Sequence, residues 1–302
     1  MREIKLKNIT WLSITTPNRA DINELKERFP KIHPLILEEL LTSTIRPRVE
    51  NYDHTLFMVL HFPDFDEQTR QTSSHEINFI LLPNTIITVQ YNELNLLEDF
   101  WHQNQDDAIE ELYSKTPVHF LYYLLRGYFA YLAKEIDQIQ LELDKIEEKV
   151  FADKQKEALE EISLLRKSIL DFRRAIKPQH VTLQSLVAQG QAIYGEKIKP
   201  YLQDLVGEYL KVWNLMENHK EILDALYETN NSLLNVKTNE AIRALSLLAF
   251  MTFIPMTVAA ILSIRASGTP LLERENGFLI IIGIIAGLML IFYSIFKRRK
   301  FI

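Results

Sequence analysis

The sequence predicts an α+β fold made of an N-terminal α/β domain, a long helical stalk and two C-terminal transmembrane helices. In residues 1–98, short β-rich runs alternate with helical patterns, which is typical of a mixed α/β domain. In residues 99–240 the β pattern ends and apolar residues recur at the spacing of packed helices. Residues 241–302 contain two apolar runs, and each is long enough, at about 20 residues, to cross a hydrocarbon core of ~30 Å.

The N-terminal segment alternates strand and helix signals. Predicted strands are the apolar, β-branched runs at residues 10–14 and 55–62, and a hairpin at 77–82 and 85–91 that turns at Pro83 and Asn84. Helices are predicted through Leu25 and at residues 33–41. We therefore expect a compact domain with its own core.

The stalk begins with two helices that carry heptad-like apolar spacing. The linker at residues 151–154 is short enough to fold them into an antiparallel pair. The residues expected at their contact are Ile136, Ile139, Leu143, Ile146 and Val150 in the first helix, and Ile162, Leu165, Ile169, Phe172 and Ile176 in the second.

A third, much longer helix is predicted to start after Lys199 and Pro200, because proline suits a first helical turn. If it continues to Ile264, it extends for about 95 Å at 1.5 Å per residue and links the soluble part to the membrane. Gly207 and the polar residues 229–232 are where a break is most expected.

The two predicted membrane spans are residues 245–264 and 278–296, and neither contains a charge. The loop between them has a net charge of zero, whereas the basic residues 297–300 follow the second span directly. The positive-inside rule therefore places the C-terminus in the cytosol, and with two spans the N-terminus is cytosolic too. We expect a multi-pass protein of the inner (plasma) membrane with a large cytosolic domain.

Composition narrows the class of partner. The chain has 302 residues and a formal net charge of −6, of which residues 241–302 contribute +5 and residues 1–240 contribute −11. An acidic soluble part argues against nucleic acid and is compatible with attracting cations. The absence of cysteine excludes disulfides and thiolate metal sites.

A single pair of helices cannot enclose an aqueous path, so any conduction requires symmetric oligomers. The first span is the better pore candidate because it carries a polar stripe, whereas the second has only Tyr293 and Ser294 near its end. The alternative is that Ser246 and Thr257 bond to their own helix backbone. The predicted pore-lining stripe is Asn239, Ile242, Ser246, Ala249, Phe253, Thr257, Ala260 and Ile264.

Several segments together resemble the CorA-type magnesium transporters. They are HPLILEELL (33–41), RPRVENYDHTLFMVL (46–60), LLRKSILDFRRAIKP (164–178), TNEAIRAL with FIPMT (238–257) and KRRK (297–300). The resemblance covers nearly the whole chain in the right order. It implies a homopentameric funnel with a cytosolic α/β domain, a long pore helix and a short outer loop, in contact with membrane lipid.

The outer mouth departs from that family. CorA-type proteins carry Gly-Met-Asn at the end of the first span, where this chain has Ile264, Arg265 and Ala266. An Asn carbonyl suits hydrated Mg²⁺, whereas Arg offers only donors and a positive charge. Five copies of Arg265 around one axis would repel a dication unless Glu273 or Glu275 neutralises them.

The resemblance also implies a regulatory Mg²⁺ site between neighbouring subunits. By motif it falls on Glu39 and Asp204, with Glu38 as the near alternative to Glu39. Paired carboxylates repel each other until a cation binds, which gives a physical basis for metal-dependent closure. The alternative is that both side chains are simply solvated, as most surface carboxylates are.

Nothing in the sequence predicts an enzyme. The eight histidines are scattered, and no glycine-rich phosphate loop or nucleophile motif occurs. Two hypotheses remain. One is a divalent cation channel or transporter, with Mg²⁺ as the default transported and regulatory ion and Zn²⁺, Co²⁺ or Ni²⁺ as alternatives. The other is a non-conducting membrane protein that acts as a metal sensor or scaffold.

Overall fold

The computed structural model describes residues 1–53, 55–66, 71–92, 97, 100, 107–263 and 276–298. The chain forms two compact units, residues 1–228 and residues 229–302. The finer division at residues 98 and 240 stays a prediction.

The first unit is built on a six-stranded sheet with the order β1-β2-β6-β5-β4-β3. All neighbouring strands are antiparallel except β2 and β6, which run parallel with Leu12 opposite Ile87. The strands are β1 (Arg2–Lys5), β2 (Thr10–Thr15), β3 (Arg48–Tyr52), β4 (Thr55–Asp66), β5 (Gln71–Leu81) and β6 (Thr85–Gln90).

The described helices follow the same order as the predicted ones, with additions. They are α1 (Arg19–Arg28), α2 (Pro34–Glu39), α3 (Asp107–Tyr113), α4 (Pro117–Phe151), α5 (Gln155–Ile176), α6 (Gln179–Tyr194), α7 (Lys199–Ser263) and α8 (Gly277–Arg298), with a 3₁₀ turn at Glu196–Ile198 before α7.

Both faces of the sheet are covered by helices. On one face, Leu25 of α1 and Ile36 of α2 join a buried cluster with Val59 and other strand residues. On the other face the ring of Phe62 meets Tyr128 of α4 at a centroid distance of 4.4 Å. Because side chains alternate between faces along a strand, this double coverage explains the near-continuous apolar sequence of β4.

The predicted antiparallel pair of stalk helices is confirmed as α4 and α5. All ten residues expected at their contact face are buried in the structure. The turn between them includes Asp153 in the left-handed region (φ 68°), and the buried amide of Gln155 donates to the carbonyl of Val150 at 2.8 Å. The heptad pattern therefore identified the packed face correctly.

The long third helix is also confirmed. Helix α7 starts at Lys199 and continues for 65 residues, and neither Gly207 nor residues 229–232 interrupt it. Some described elements had not been predicted. They are the edge strands β1 and β3 and the helices α3 and α6, of which α6 packs against β3.

Candidate ion pathway and cation sites

The apolar ends of α7 and α8 each have one side shielded from solvent. In α7, Leu247 is buried and Met251, Ile254 and Val258 are partly buried. In α8 the partly buried residues include a set at the same spacing, namely Ile281, Ile285, Leu288 and Phe292. This spacing marks one face of a helix. Most other described residues at these ends of the two helices are exposed in the single chain.

The predicted pore stripe lies on a different face of α7. Every described member of the stripe is exposed, including Phe253 at 62% and Ile242 at 55%. At 100° per residue, the stripe is centred roughly 120° around the helix from the shielded Leu247 face. Its last member, Ile264, lies outside the described residues. Packing within a single chain therefore does not cover the polar stripe.

The hydroxyl of Thr257 donates to the carbonyl of Phe253 at 2.8 Å. The expected alternative, a bond to its own helix, thus occurs for this residue. The same bond holds the hydroxyl hydrogen toward the helix and leaves oxygen lone pairs directed outward. Thr252 forms equivalent bonds to Leu248 and Ala249 at 3.0 Å, about 100° around the helix from the stripe.

The outer-mouth residues Arg265, Ala266, Glu273 and Glu275 lie outside the described residues. Their predicted role rests on the sequence alone.

Glu39 ends helix α2, whose start is fixed by local chemistry. Nδ1 of His33 accepts a hydrogen bond from the backbone N–H of Leu35 at 3.3 Å, and proline occupies the first helical position. The carboxylate of Glu39 accepts from the guanidinium of Arg48, which also donates from Nε to Glu50 at 3.1 Å. Glu39 remains 44% exposed, so a second ligand can reach it.

Asp204 lies near the start of α7 and is held by Tyr122 of α4. The hydroxyl of Tyr122 donates to Oδ2 of Asp204 at 2.8 Å, and its ring meets Tyr201 at 5.1 Å. Burial, together with this hydrogen bond, raises the pKa of Tyr122 to about 12, so the phenol stays a donor at neutral pH. In the described part of one chain, Glu39 and Asp204 have different partners, and their assignment to one intersubunit site stays a prediction.

A buried polar cluster midway along the paired strands β4 and β5 was missed in the sequence. It consists of Glu76 and Asn78 on β5, His61 on β4, and Thr44 in the loop after α2. Burial raises the pKa of Glu76, while the hydrogen bond from the backbone N–H of Thr44 and the nearby side-chain amide of Asn78 oppose this shift. Burial lowers the pKa of His61. Alternation of polar and apolar residues, as in β5, is typical of a strand with one face in water, so no local pattern indicated the cluster.

The fold joins a soluble α/β unit to two helices that, within the described residues, are long and apolar enough to cross a membrane. This architecture is typical of an integral membrane protein with a large domain outside the bilayer. Over residues 7–298 the sequence matches the family described as CorA-like Mg²⁺ transporter protein. The chain therefore belongs to the CorA-like Mg²⁺ transporter family, as the motifs predicted.

Known relatives match the sequence of this protein along nearly its whole length. The cobalt/magnesium transport protein CorA of Thermotoga maritima is 25% identical over 299 residues, covering 97% of this chain and 83% of that protein. The protein of the same name from Methanocaldococcus jannaschii is 20% identical over 294 residues, covering 97% and 92%. The complete structure of the M. jannaschii CorA magnesium transporter superposes with a TM-score of 0.85 at 20% identity, covering 100% of this chain and 95% of that one. The predicted fold class is thereby confirmed.

Proposed function

We propose that this protein conducts divalent cations across the membrane through an axial pore formed by α7 from five copies of the chain. The observation that carries this proposal is the exposed polar stripe on α7, which is offset from the face that the chain itself shields. Rings of hydroxyl and amide oxygens around an axis replace part of the hydration shell of an ion. The ion moves down its electrochemical gradient.

Mg²⁺ is the first ion that we assign to this pore, followed by Co²⁺. Two relatives along the full chain are named as cobalt/magnesium transport proteins. Zn²⁺ and Ni²⁺ belong in the same comparison because Gly-Met-Asn is replaced by Ile264, Arg265 and Ala266. The charge pattern supports insertion in the plasma membrane with both termini in the cytosol.

We further propose that Glu39 and Asp204 of neighbouring subunits bind a regulatory divalent cation. The exposure of Glu39 and the fixed orientation of Asp204 support this assignment. The cation would offset the repulsion between the two carboxylates and favour one arrangement of the pentamer.

A second candidate function is a metal sensor or scaffold that does not conduct. The substitution at the outer mouth favours it, because five guanidinium groups near one axis raise the electrostatic energy of an incoming dication. Two carboxylates per subunit, Glu273 and Glu275, oppose Arg265 and Arg274 in the same loop. The balance of these charges determines whether the pore is open to cations.

Ion flux into liposomes separates the two functions. The purified protein is reconstituted and uptake of Mg²⁺, Co²⁺, Ni²⁺ and Zn²⁺ is measured at low and raised ionic strength. Conduction of at least one ion supports the channel, and no flux of any ion supports the sensor. If Arg265 faces the axis, Arg265→Asn increases uptake, most strongly at low salt. An unchanged rate places Arg265 away from the pathway.

A further inference from the structure

A cavity of about 360 Å³ lies beneath the loop that connects α2 to β3. Its wall includes Glu39, Thr44, Arg48, Glu76 and Asn78. Two of these polar residues are almost completely enclosed, since the side chain of Glu76 is 4% exposed and Asn78 is 1% exposed. Both lie on β5 at alternate positions, so they project from the same face of the sheet.

The hydrogen bonds of this cluster leave acceptor atoms unused. Oε2 of Glu76 accepts from the backbone N–H of Thr44 at 2.5 Å, while Oε1 has no hydrogen-bond partner of good geometry among the described residues. Nδ2 of Asn78 donates to the hydroxyl of Tyr91 at 2.9 Å, and its Oδ1 has no such partner there either.

His61 adds a third acceptor beside Glu76. Its Nε2 is 2.7 Å from the carbonyl oxygen of Thr44, and because a carbonyl can only accept, Nε2 carries the hydrogen. Nδ1 then carries a lone pair and can only accept, and it is buried without a hydrogen-bond partner among the described residues. His61 and Glu76 also border an adjoining cavity of about 530 Å³. The unused groups of this cluster are therefore two oxygens and one nitrogen, all acceptors.

The charges around the cavity favour a cation. Arg48 is the cation in the wall of the smaller cavity, and its guanidinium already pairs with Glu39 and Glu50. Glu76 contributes a further carboxylate, 3.9 Å from the imidazole of His61. The wall of the smaller cavity thus has two carboxylates, Glu39 and Glu76, and one guanidinium, which Glu50 also pairs from outside the wall. Buried acceptors that lack donors are costly, and a hydrated metal ion supplies donors together with positive charge.

We propose that Glu76 and Asn78 bind a hydrated divalent cation inside a single subunit. Mg²⁺ usually keeps several waters and binds through one or two carboxylates, and its bound waters present only donors outward. Six waters at about 30 Å³ each occupy roughly 180 Å³, which the cavity accommodates. Glu39 borders the same cavity, but the ligands proposed here are Glu76 and Asn78 of one subunit, without Asp204 of a neighbour. The site does not depend on conduction.

Binding of Mn²⁺ to the full-length protein in detergent tests the proposal. The protein is stripped with EDTA, and free Mn²⁺ is measured by electron paramagnetic resonance during titration, with Mg²⁺ as competitor. Glu76→Gln keeps the shape of the side chain and should weaken one Mn²⁺ site per chain at least tenfold. Glu50→Gln is the matched control, because Glu50 contacts Arg48 but does not border the cavity, and it should retain that site.

Two more variants keep the outcome decisive. Asp204→Ala should leave the Glu76 site intact, which distinguishes it from the intersubunit site. Asn78→Asp adds a carboxylate beside Glu76 and should tighten Mn²⁺ binding about tenfold, even if Glu76→Gln proves unstable. Equal Mn²⁺ binding by wild type and Glu76→Gln, or no tightening in Asn78→Asp, overturns the proposal. Liposome flux is read separately, so loss of conduction leaves this result unaffected.

Discussion

The hydroxyl of Tyr122 donates to the carboxylate of Asp204 at 2.8 Å and fixes the orientation of this carboxylate at the start of α7. Tyr122→Phe removes only that hydrogen bond. We expect it to lower the free energy of unfolding by about 1 kcal/mol, since Asp204 is exposed and water replaces part of the lost bond. Denaturant titration measures the change. Tyr123→Phe, at the neighbouring position, is the control and should be close to wild type.

The proposed regulatory site predicts stabilisation by Mg²⁺. A ligand at 100 times its dissociation constant adds about 2.7 kcal/mol to the stability of the state that binds it. Millimolar Mg²⁺ should therefore raise the melting temperature of the purified protein, and Glu39→Ala with Asp204→Ala should remove that part of the increment. The pair Glu208→Ala with Glu221→Ala, which removes two other carboxylates of α7, is the control. A full Mg²⁺ response in the first double variant would rule out the site.

If the pore stripe lines the ion pathway, substitutions on that face of α7 should lower ion flux and substitutions on another face should not. Thr257→Leu and Asn239→Leu replace oxygen ligands by hydrocarbon and should each lower Mg²⁺ flux severalfold while the protein still elutes at about five times 35.4 kDa. Thr252→Leu makes the same chemical change away from the stripe and should conduct normally. If Thr252→Leu lowers flux and the other two do not, the pore lies on another face.

A buried histidine in the stalk predicts acid sensitivity. His219 is 4% exposed and its Nε2–H donates to Oε1 of Gln140 at 2.8 Å. Burial lowers the pKa of His219, although Asp137 and Asp144 act in the opposite direction. Below the usual histidine pKa of about 6.5 the unfolded chain takes up a proton that the folded chain does not bind, so stability falls as pH decreases through that value.

The variant His219→Gln should reduce this loss of stability between pH 7 and pH 5. Gln140→Ala keeps the imidazole and should retain it. Thermal melts across the pH range compare the three proteins, and an identical pH dependence in His219→Gln would contradict the assignment.

The elements that the sequence predicted correctly are those with strong apolar patterns. Strands β4 to β6 are rich in branched and aromatic residues, and the stalk helices repeat apolar residues at a spacing that only a packed helical face explains. The missed elements lack such patterns. Strands β1 and β3 lie at the edges of the sheet and are largely polar, and α6 buries Gln179, Thr182 and Gly190 along with its leucines.

The candidate sites also divide into those that a sequence pattern indicated and one that no pattern indicated. Glu39 and Asp204 were found through motifs, and the stripe on α7 through helical spacing. The cluster at Glu76 gave no such signal, because a polar residue between apolar neighbours in a strand normally faces water. The useful sign was that Ile80 and Leu82 continue the face of Asn78 with apolar residues, which is expected only when that face is covered. Loop contacts such as that of Thr44 with Glu76 depend on tertiary structure and carry no local pattern.

The parallel pairing of β2 with β6 means that β2 cannot join the main sheet until β6 has been synthesised. Thr10 pairs with Thr85, about 75 residues later, whereas β3 to β5 pair only with strands next to them in the sequence. At 5–20 residues per second the ribosome takes roughly 4 to 15 s to produce this interval. During that time Trp11, Leu12 and Ile14, which are all buried in the finished domain, have no sheet to join. The nascent chain therefore exposes the apolar side chains of β2 until β6 emerges, and chaperones that recognise apolar segments should bind there.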